Sequence, residues 1–284
     1  MKTIRPALPF PDLHAEAFAA TGRALHAYAC VLREWMSAYR PKRKHWWHVS
    51  LRPALNGLTT DVIHAGIDFE LQLNFRESTL LVQTTTGEQF TEALHGQSAA
   101  ELAEKVRGFL NAAGLENRLV SDGSHHSKKK FAGYSAEQAG LLADAFNSVA
   151  TAMELFRADI REETSPIQLW PHHFDLALLW LPGDKVPDQD PQNEEDADKQ
   201  MNFGFTLGDE GIAEPYFYVT AYPLPDALPS LSLPHGAMWQ TEGFSGAVLL
   251  YRSLLQNADP QACLLDLWNS LLSAGREHMC ANAA

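Results

Sequence analysis

Residues 165–176 read Ser-Pro-Ile-Gln-Leu-Trp-Pro-His-His-Phe-Asp-Leu, setting two adjacent histidines and an aspartate inside an apolar run with strand-like spacing. Desolvating a polar group without a partner costs on the order of a few kcal/mol, so His172, His173 and Asp175 each need one. Strand parity says which other side chains can join them. In 46–52, Trp47, Val49 and Leu51 point one way and His48, Ser50 and Arg52 the other; in 167–180, His173 and Asp175 share one face while His172 lies with Phe174, Leu176, Leu178 and Trp180. Asp68 and Glu70 of a middle strand complete a polar surface of His48, Asp68, Glu70, His173 and Asp175, and a kink at Pro171 can bring His172 onto it.

Three readings of that surface stay open. In a hydrolytic enzyme, Asp175 orients His173 for proton transfer, with His48 and Glu70 as the other catalytic groups. No Gly-x-Ser-x-Gly elbow presents Ser50 or Ser165 as a nucleophile. In a ligand site, His172, Arg52, Asp68, Trp170, Tyr216 and Tyr218 supply the contacts, or the imidazoles and carboxylates hold zinc, iron or manganese. A transition metal is thus a candidate cofactor, although no His-x-x-x-His or His-Glu-x-x-His pair occurs and neighbouring histidines on a strand diverge. In the third reading the protein is an interaction module, and its histidines satisfy backbone carbonyls beside the Pro171 kink. The stripe Tyr216, Tyr218, Thr220, Tyr222 fits a pocket wall, a subunit interface or a packed strand. His125-His126 lies in a polar connector, 121–130, and reads as solvated; His14, His26, His95 and His278 lie on or beside helices. The acidic loop 183–200 departs from the EF-hand pattern and reads as solvated too.

The elements that must position these residues follow from periodicity. Leu25, Tyr28, Ala29, Leu32, Trp35, Met36 and Tyr39 define a one-sided helix over about 13–40, stopped before Pro41. Strand-like runs at 46–52, 66–75 and 79–86 follow, then a helix opened by the Ser98/Glu101 capping box and closed at Gly114. The order then recurs. A helix starts at Ser135/Gln138; strand-like runs lie at 167–180, 201–207 and 216–222; and helices lie over about 245–257 and 260–274, the last closed at Gly275. Trp46-Trp47-His48 matches Trp170-Pro171-His172, and Leu110 to Gly114 matches Leu271 to Gly275. The expected fold class is α+β: one domain over 1–284 made of two pseudo-repeated helix-βββ-helix halves, about 10–120 and 131–278. These form a largely antiparallel sheet with the helices packed on one face.

A net charge of −13 argues against nucleic acid and anionic membranes as partners, and no window approaches the ~20 apolar residues of a membrane span. The basic run Arg40-Pro-Lys-Arg-Lys44 reads as cations at a helix C-terminus; phosphate binding there runs against the net field. A small molecule and a second copy of the chain remain candidate partners. Three widely spaced cysteines, no Cys-x-x-Cys and no apolar leader in the first 20 residues fit a reducing, cytoplasmic setting. Glycine-rich dinucleotide and P-loop fingerprints do not occur.

Trp47-His-Val-Ser-Leu51, Gly57-Leu-Thr-Thr60, Ser165-Pro166, the run from Trp170 to Leu176, Glu214-Pro-Tyr-Phe-Tyr218 and Tyr222-Pro223 resemble an uncharacterised bacterial family of domain-of-unknown-function proteins over roughly residues 10–275. The resemblance implies a single full-length domain in a soluble bacterial protein. It brings no activity, cofactor or catalytic residue.

Overall fold

A computed structural model describes residues 9–120 and 126–280. In chain order it has α1 (Ala15–Tyr39), a 3-10 turn (Lys44–Val49), β1 (Arg52–Ala54), β2 (Gly57–Thr59), β3 (Phe69–Asn74), β4 (Thr79–Thr84), β5 (Gln89–Ala93), α2 (Ala99–Ala112) and α3 (Ala136–Ala158). There follow β6 (Glu163–Thr164), β7 (Gln168–Trp170), β8 (Asp175–Leu181), α4 (Glu194–Ala197), β9 (Gln200–Thr206), β10 (Tyr216–Tyr222), β11 (Met238–Gln240), β12 (Gly246–Leu250), α5 (Tyr251–Leu255) and α6 (Pro260–Met279). No helix among the described residues is long and apolar enough to cross a membrane.

The chain forms two compact units that interleave in sequence. The first comprises Leu13–Asn147 and Gln168–Phe174; the second takes residues 9–12, Ser148–Ile167 and the chain from Asp175. In the first unit the strands run β1-β2-β3-β4-β5, all antiparallel. Phe69, Leu71 and Leu73 alternate with half-buried polar residues along β3, as a sheet with one core face requires. The apolar stripe of α1 is fully buried in this unit's core, each large side chain contributing about 1.5–3 kcal/mol relative to exposure. Ser98 and Glu101 form both hydrogen bonds of the capping box that starts α2, and Gly114, at φ +90°, ends that segment.

In the second unit the strands run β11-β12-β10-β9-β8-β6, again antiparallel. Phe203 and Phe217 pack on Phe156 of α3 and Trp268 of α6, with ring centroids 4.8 Å apart for Phe156–Phe203 and 6.1 Å for Phe217–Trp268. Helix α6 comes close to the strands at Gly275, where an added Cβ would lie 2.2 Å from Met201 Sδ.

The α+β class with antiparallel pairing is as expected, but the strands form two sheets rather than one. In the first sheet every strand pairs with its neighbour in sequence; in the second, β12 returns to β10 and β8 pairs with β6, so each sheet fills from its own segment. Four local expectations are corrected as well. The run 46–52 is a 3-10 turn before it becomes β1, with His45 (φ 47°) and Trp46 (φ 57°) in the left-handed region. The run 167–180 is broken by a tight turn at 171–174 that ends in Phe174 at φ 58°. Residues 246–250 are strand β12, because they pair with Tyr216–Val219; only Tyr251–Leu255 are helical. Gly275 does not end its helix, which continues to Met279; the residue is glycine because of close packing. Trp46-Trp47-His48 lies in the 3-10 turn and Trp170-Pro171-His172 straddles the end of β7 and the turn after it, and β2 and β5 are strands that the periodicity missed.

Candidate functional site

Helix α1 buries one stripe, and its opposite side carries His26, Cys30, Arg33, Glu34 and Ser37. The spacing i, i+4, i+7, i+8, i+11 places these along one line of the helix. Two features of the first unit meet that line: the turn after β7 and a cavity.

The turn is closed by Trp170 O, which accepts from the amides of His173 (3.2 Å) and Phe174 (2.7 Å). The Phe174 ring anchors it, buried against Phe146 (5.8 Å), Phe75 (6.3 Å) and the face of His26 (5.5 Å, 20° between planes). With Phe174 turned inward, His172 and His173 stand at the surface, their rings 4.1 Å apart, and Trp170 meets His172 edge-on at 6.0 Å. Helix α1 captures the turn's carbonyls: His26 Nε2 donates to His172 O (3.2 Å) and Cys30 Sγ to Pro171 O (3.1 Å). Because His26 Nε2 faces a carbonyl it carries the proton, leaving Nδ1 as an acceptor.

Burial, helped by neighbouring basic groups, favours the neutral form of His172 and His26. Desolvation, then the nearby His173, Arg33 and His26, pushes His172 down to about 4, although part of its ring stays open to water. Burial lowers His26 as well, outweighing the carbonyls that favour its cation. Burial raises Cys30, so its sulfur stays a thiol and donor.

Further along α1, a cavity of about 500 Å³ is lined by Ala27, Cys30, Arg33, Glu34, Ala99 and His126, among others. His126 Nε2 lies 2.9 Å from Glu34 Oε2, with side chains 5% and 13% exposed. The reading of His126 as solvated is thus corrected: Glu34 gives the imidazole a buried partner in place of water. His125 lies outside the described residues.

The other residues singled out by sequence have local partners. His48 is buried in the 3-10 turn, where its Nδ1 accepts from the Arg43 amide (3.3 Å); burial, and then the cations Lys42, Arg40, Arg43 and Arg33, lower its pKa. Glu70 accepts from Thr59 Oγ1 (2.5 Å) and Gln72 Nε2 (3.1 Å). Asp68 pairs with His64 (2.9 Å) and the Ala65 amide (3.0 Å). Arg52 donates to Ser50 Oγ (3.0 Å) and Gln168 Oε1 (3.2 Å). In the second unit, Tyr218 donates to the buried Asp175 and lies 3.3 Å from Asn202 Nδ2, while Tyr216 donates to Asp209. Burial and then the Asp175 carboxylate hold Tyr218 far above its ordinary value, so its hydroxyl keeps its proton. The Tyr218 ring lies across Gly204, where an added Cβ would be 2.1 Å from its Cζ.

His48 and His173 sit in turns, where successive side chains do not alternate, so strand parity does not set the faces they occupy. Sequence reading also missed Cys30, Arg33, Glu34 and His126. The signal for Cys30, Arg33 and Glu34 was present in their helical spacing with His26, opposite the apolar stripe. Among the described residues, no three His, Cys, Asp or Glu side chains are grouped so as to hold a metal ion.

No curated protein and no solved structure matches the chain. The model of a family of unknown function, DUF5996, matches residues 10–282, and the chain therefore belongs to that family.

Proposed function

We propose that this protein binds a small molecule carrying an anionic group in the α1 cavity of the first unit. The observation that carries the reading is the cavity itself: its volume is that of a small-ligand site, and its apolar wall holds a few convergent polar groups. Arg33 is the cation for the ligand's charged end, the Glu34–His126 pair is a buried donor-acceptor couple, and Ala27 and Ala99 are the apolar contact. His26, His172 and His173 flank this site through Cys30 and Arg33.

Binding is favoured over hydrolytic chemistry by the lowered basicity of His26 and His172. A general base works best with a pKa near the working pH, and His172, at about 4, is a weak proton acceptor at pH 7. The carboxylates of Glu70 and Asp175 already accept hydrogen bonds from hydroxyl donors, which supports structural roles for them.

The test uses the full chain and 8-anilinonaphthalene-1-sulfonate, an anionic aromatic probe. The expected result is saturable one-site fluorescence enhancement, lost in Ser37→Trp, which fills the cavity from an exposed helix position, and weakened in Arg33→Gln. Binding untouched by both substitutions, or no saturable binding, overturns the proposal.

A further inference from the structure

The geometry points to a second anion site in the first unit, at the 3-10 turn, built to hold a compact dianionic group of the phosphate class. The chain carries a net charge of −13, yet the charges of Arg40, Lys42, Arg43 and Arg52 meet around this one turn and its flank. The charges of Arg52 and Arg43 act on Arg40, Arg43 acts on Arg52, and Lys42, Arg40 and Arg43 act together on His48. Against them stands Asp61, 3.8 Å from Arg52 and with its side chain 58% exposed. Its single charge is shared between Arg40 and Arg52, while Arg43 repels both.

A second observation points to a missing acceptor. Gln168 is fully buried, and its Oε1 lies 2.7 Å from Ser50 Oγ and 3.2 Å from Arg52. Those contacts fix the amide's orientation, since the arginine can only donate. The Gln168 Nε2 group is thereby left beside the Arg52 guanidinium with no hydrogen-bond partner, and the Trp47 indole N–H in the turn also lacks one. A buried donor without an acceptor is destabilising, and two such donors within a cationic cluster match an oxyanion with several acceptor oxygens.

The backbone is arranged to create this concentration of charge. His45, Trp46 and Asp61 are all non-glycine residues at positive φ, a conformation that costs on the order of 1 kcal/mol or more each. The turn's surface side chains stack on one another: Lys42 lies 5.0 Å over Trp46, Lys44 lies 5.1 Å over Trp47, and Trp46 stacks on His48 at 5.6 Å. Arginine forks suit phosphate geometry better than a single carboxylate, and the one Asp61 carboxylate is shared between Arg40 and Arg52. A long polyanion is disfavoured, because beyond the turn it meets the field of an acidic chain.

The experiment measures thermal stability and the His48 proton resonances of the full chain at constant ionic strength. Inorganic phosphate, glycerol 3-phosphate, succinate and single-stranded oligothymidylate are the ligands. The expected result is saturable stabilisation by both phosphates, at least tenfold tighter than succinate, with a raised His48 pKa. Lys42→Gln with Arg43→Gln, two exposed side chains, should weaken phosphate binding at least tenfold and leave the ligand-free melting temperature close to wild type. Ser37→Trp should leave it unchanged, which separates this site from the α1 cavity. No saturable response to phosphate, a response that survives the double substitution, or tighter binding of the oligonucleotide than of glycerol 3-phosphate would each refute the inference.

Discussion

Replacing Gly204 by alanine should destabilise the second unit through one identifiable contact, and removing that contact should reverse the sign of the effect. On β9, Gly204 pairs with Tyr218 of β10 and Ala177 of β8. An alanine Cβ there would stand 2.1 Å from Tyr218 Cζ and 2.4 Å from its Cε1 and hydroxyl oxygen. Carbon atoms in contact sit about 3.5–4 Å apart, so the ring must retreat by about 1.5 Å. That overpacking costs about 1–3 kcal/mol, and the shift pulls the hydroxyl off the buried Asp175 carboxylate, a charged hydrogen bond contributing about 1.5–3 kcal/mol. The sum is about 2.5–6 kcal/mol. In a Tyr218→Ala background the ring is gone. Alanine should then be neutral or stabilising by about 0.5–1 kcal/mol, since glycine is entropically costly inside a strand. Urea denaturation of the wild type, both single variants and the double variant, followed by circular dichroism, gives the coupling directly. A Gly204→Ala cost that is the same in both backgrounds would show that Tyr218 is not what excludes a side chain there.

Two further outcomes concern pH. His172 titrates near 6.5 when unfolded and about 4 when folded, so between those values the unfolded chain takes up the proton and stability falls as pH drops. The full shift would correspond to about 3.4 kcal/mol; with the ring partly open to water, about 1 kcal/mol is expected, read as a shallower stability loss between pH 7.5 and 5 in His172→Gln than in the wild type. Glu162 is held at about 2, chiefly by hydrogen bonds from Arg276 at 2.7 Å, so its contribution is complete above about pH 4.5 and lost as pH falls toward 2. Glu162→Gln should lower the melting temperature at pH 7 and flatten this acid limb, and an unchanged limb would count against the pairing. Ser98→Ala removes the cap of α2 and should cost about 1 kcal/mol in chemical denaturation, with Ser98→Asp recovering most of it.

What was legible in the sequence was what local periodicity controls. The buried stripe of α1, the alternation of β3 and the Ser98/Glu101 box all depend on neighbours within a few residues. Elements decided by distant pairing were not legible. Val248-Leu249-Leu250 suits a buried helix or a strand equally, and its partner at Tyr216–Val219 decides for the strand. The turns at His45–Trp46 and Phe174 carry no glycine or asparagine to announce positive φ, so both were read as extended, and the face assigned to each histidine went with them. The Glu34–His126 pair spans 92 residues, and no spacing rule could have joined its members.

The seven residues Gln168–Phe174 matter beyond the imidazoles they carry. They complete the first unit although the chain on either side belongs to the second: Leu169 exchanges backbone hydrogen bonds with Leu51, Gln168 binds Ser50 and Arg52, and Phe174 fills the space between Phe75 and Phe146. During synthesis, therefore, the first unit cannot finish folding when residue 147 emerges. It must wait, with α1's turn-binding side chains unmatched, until the ribosome has released residue 174.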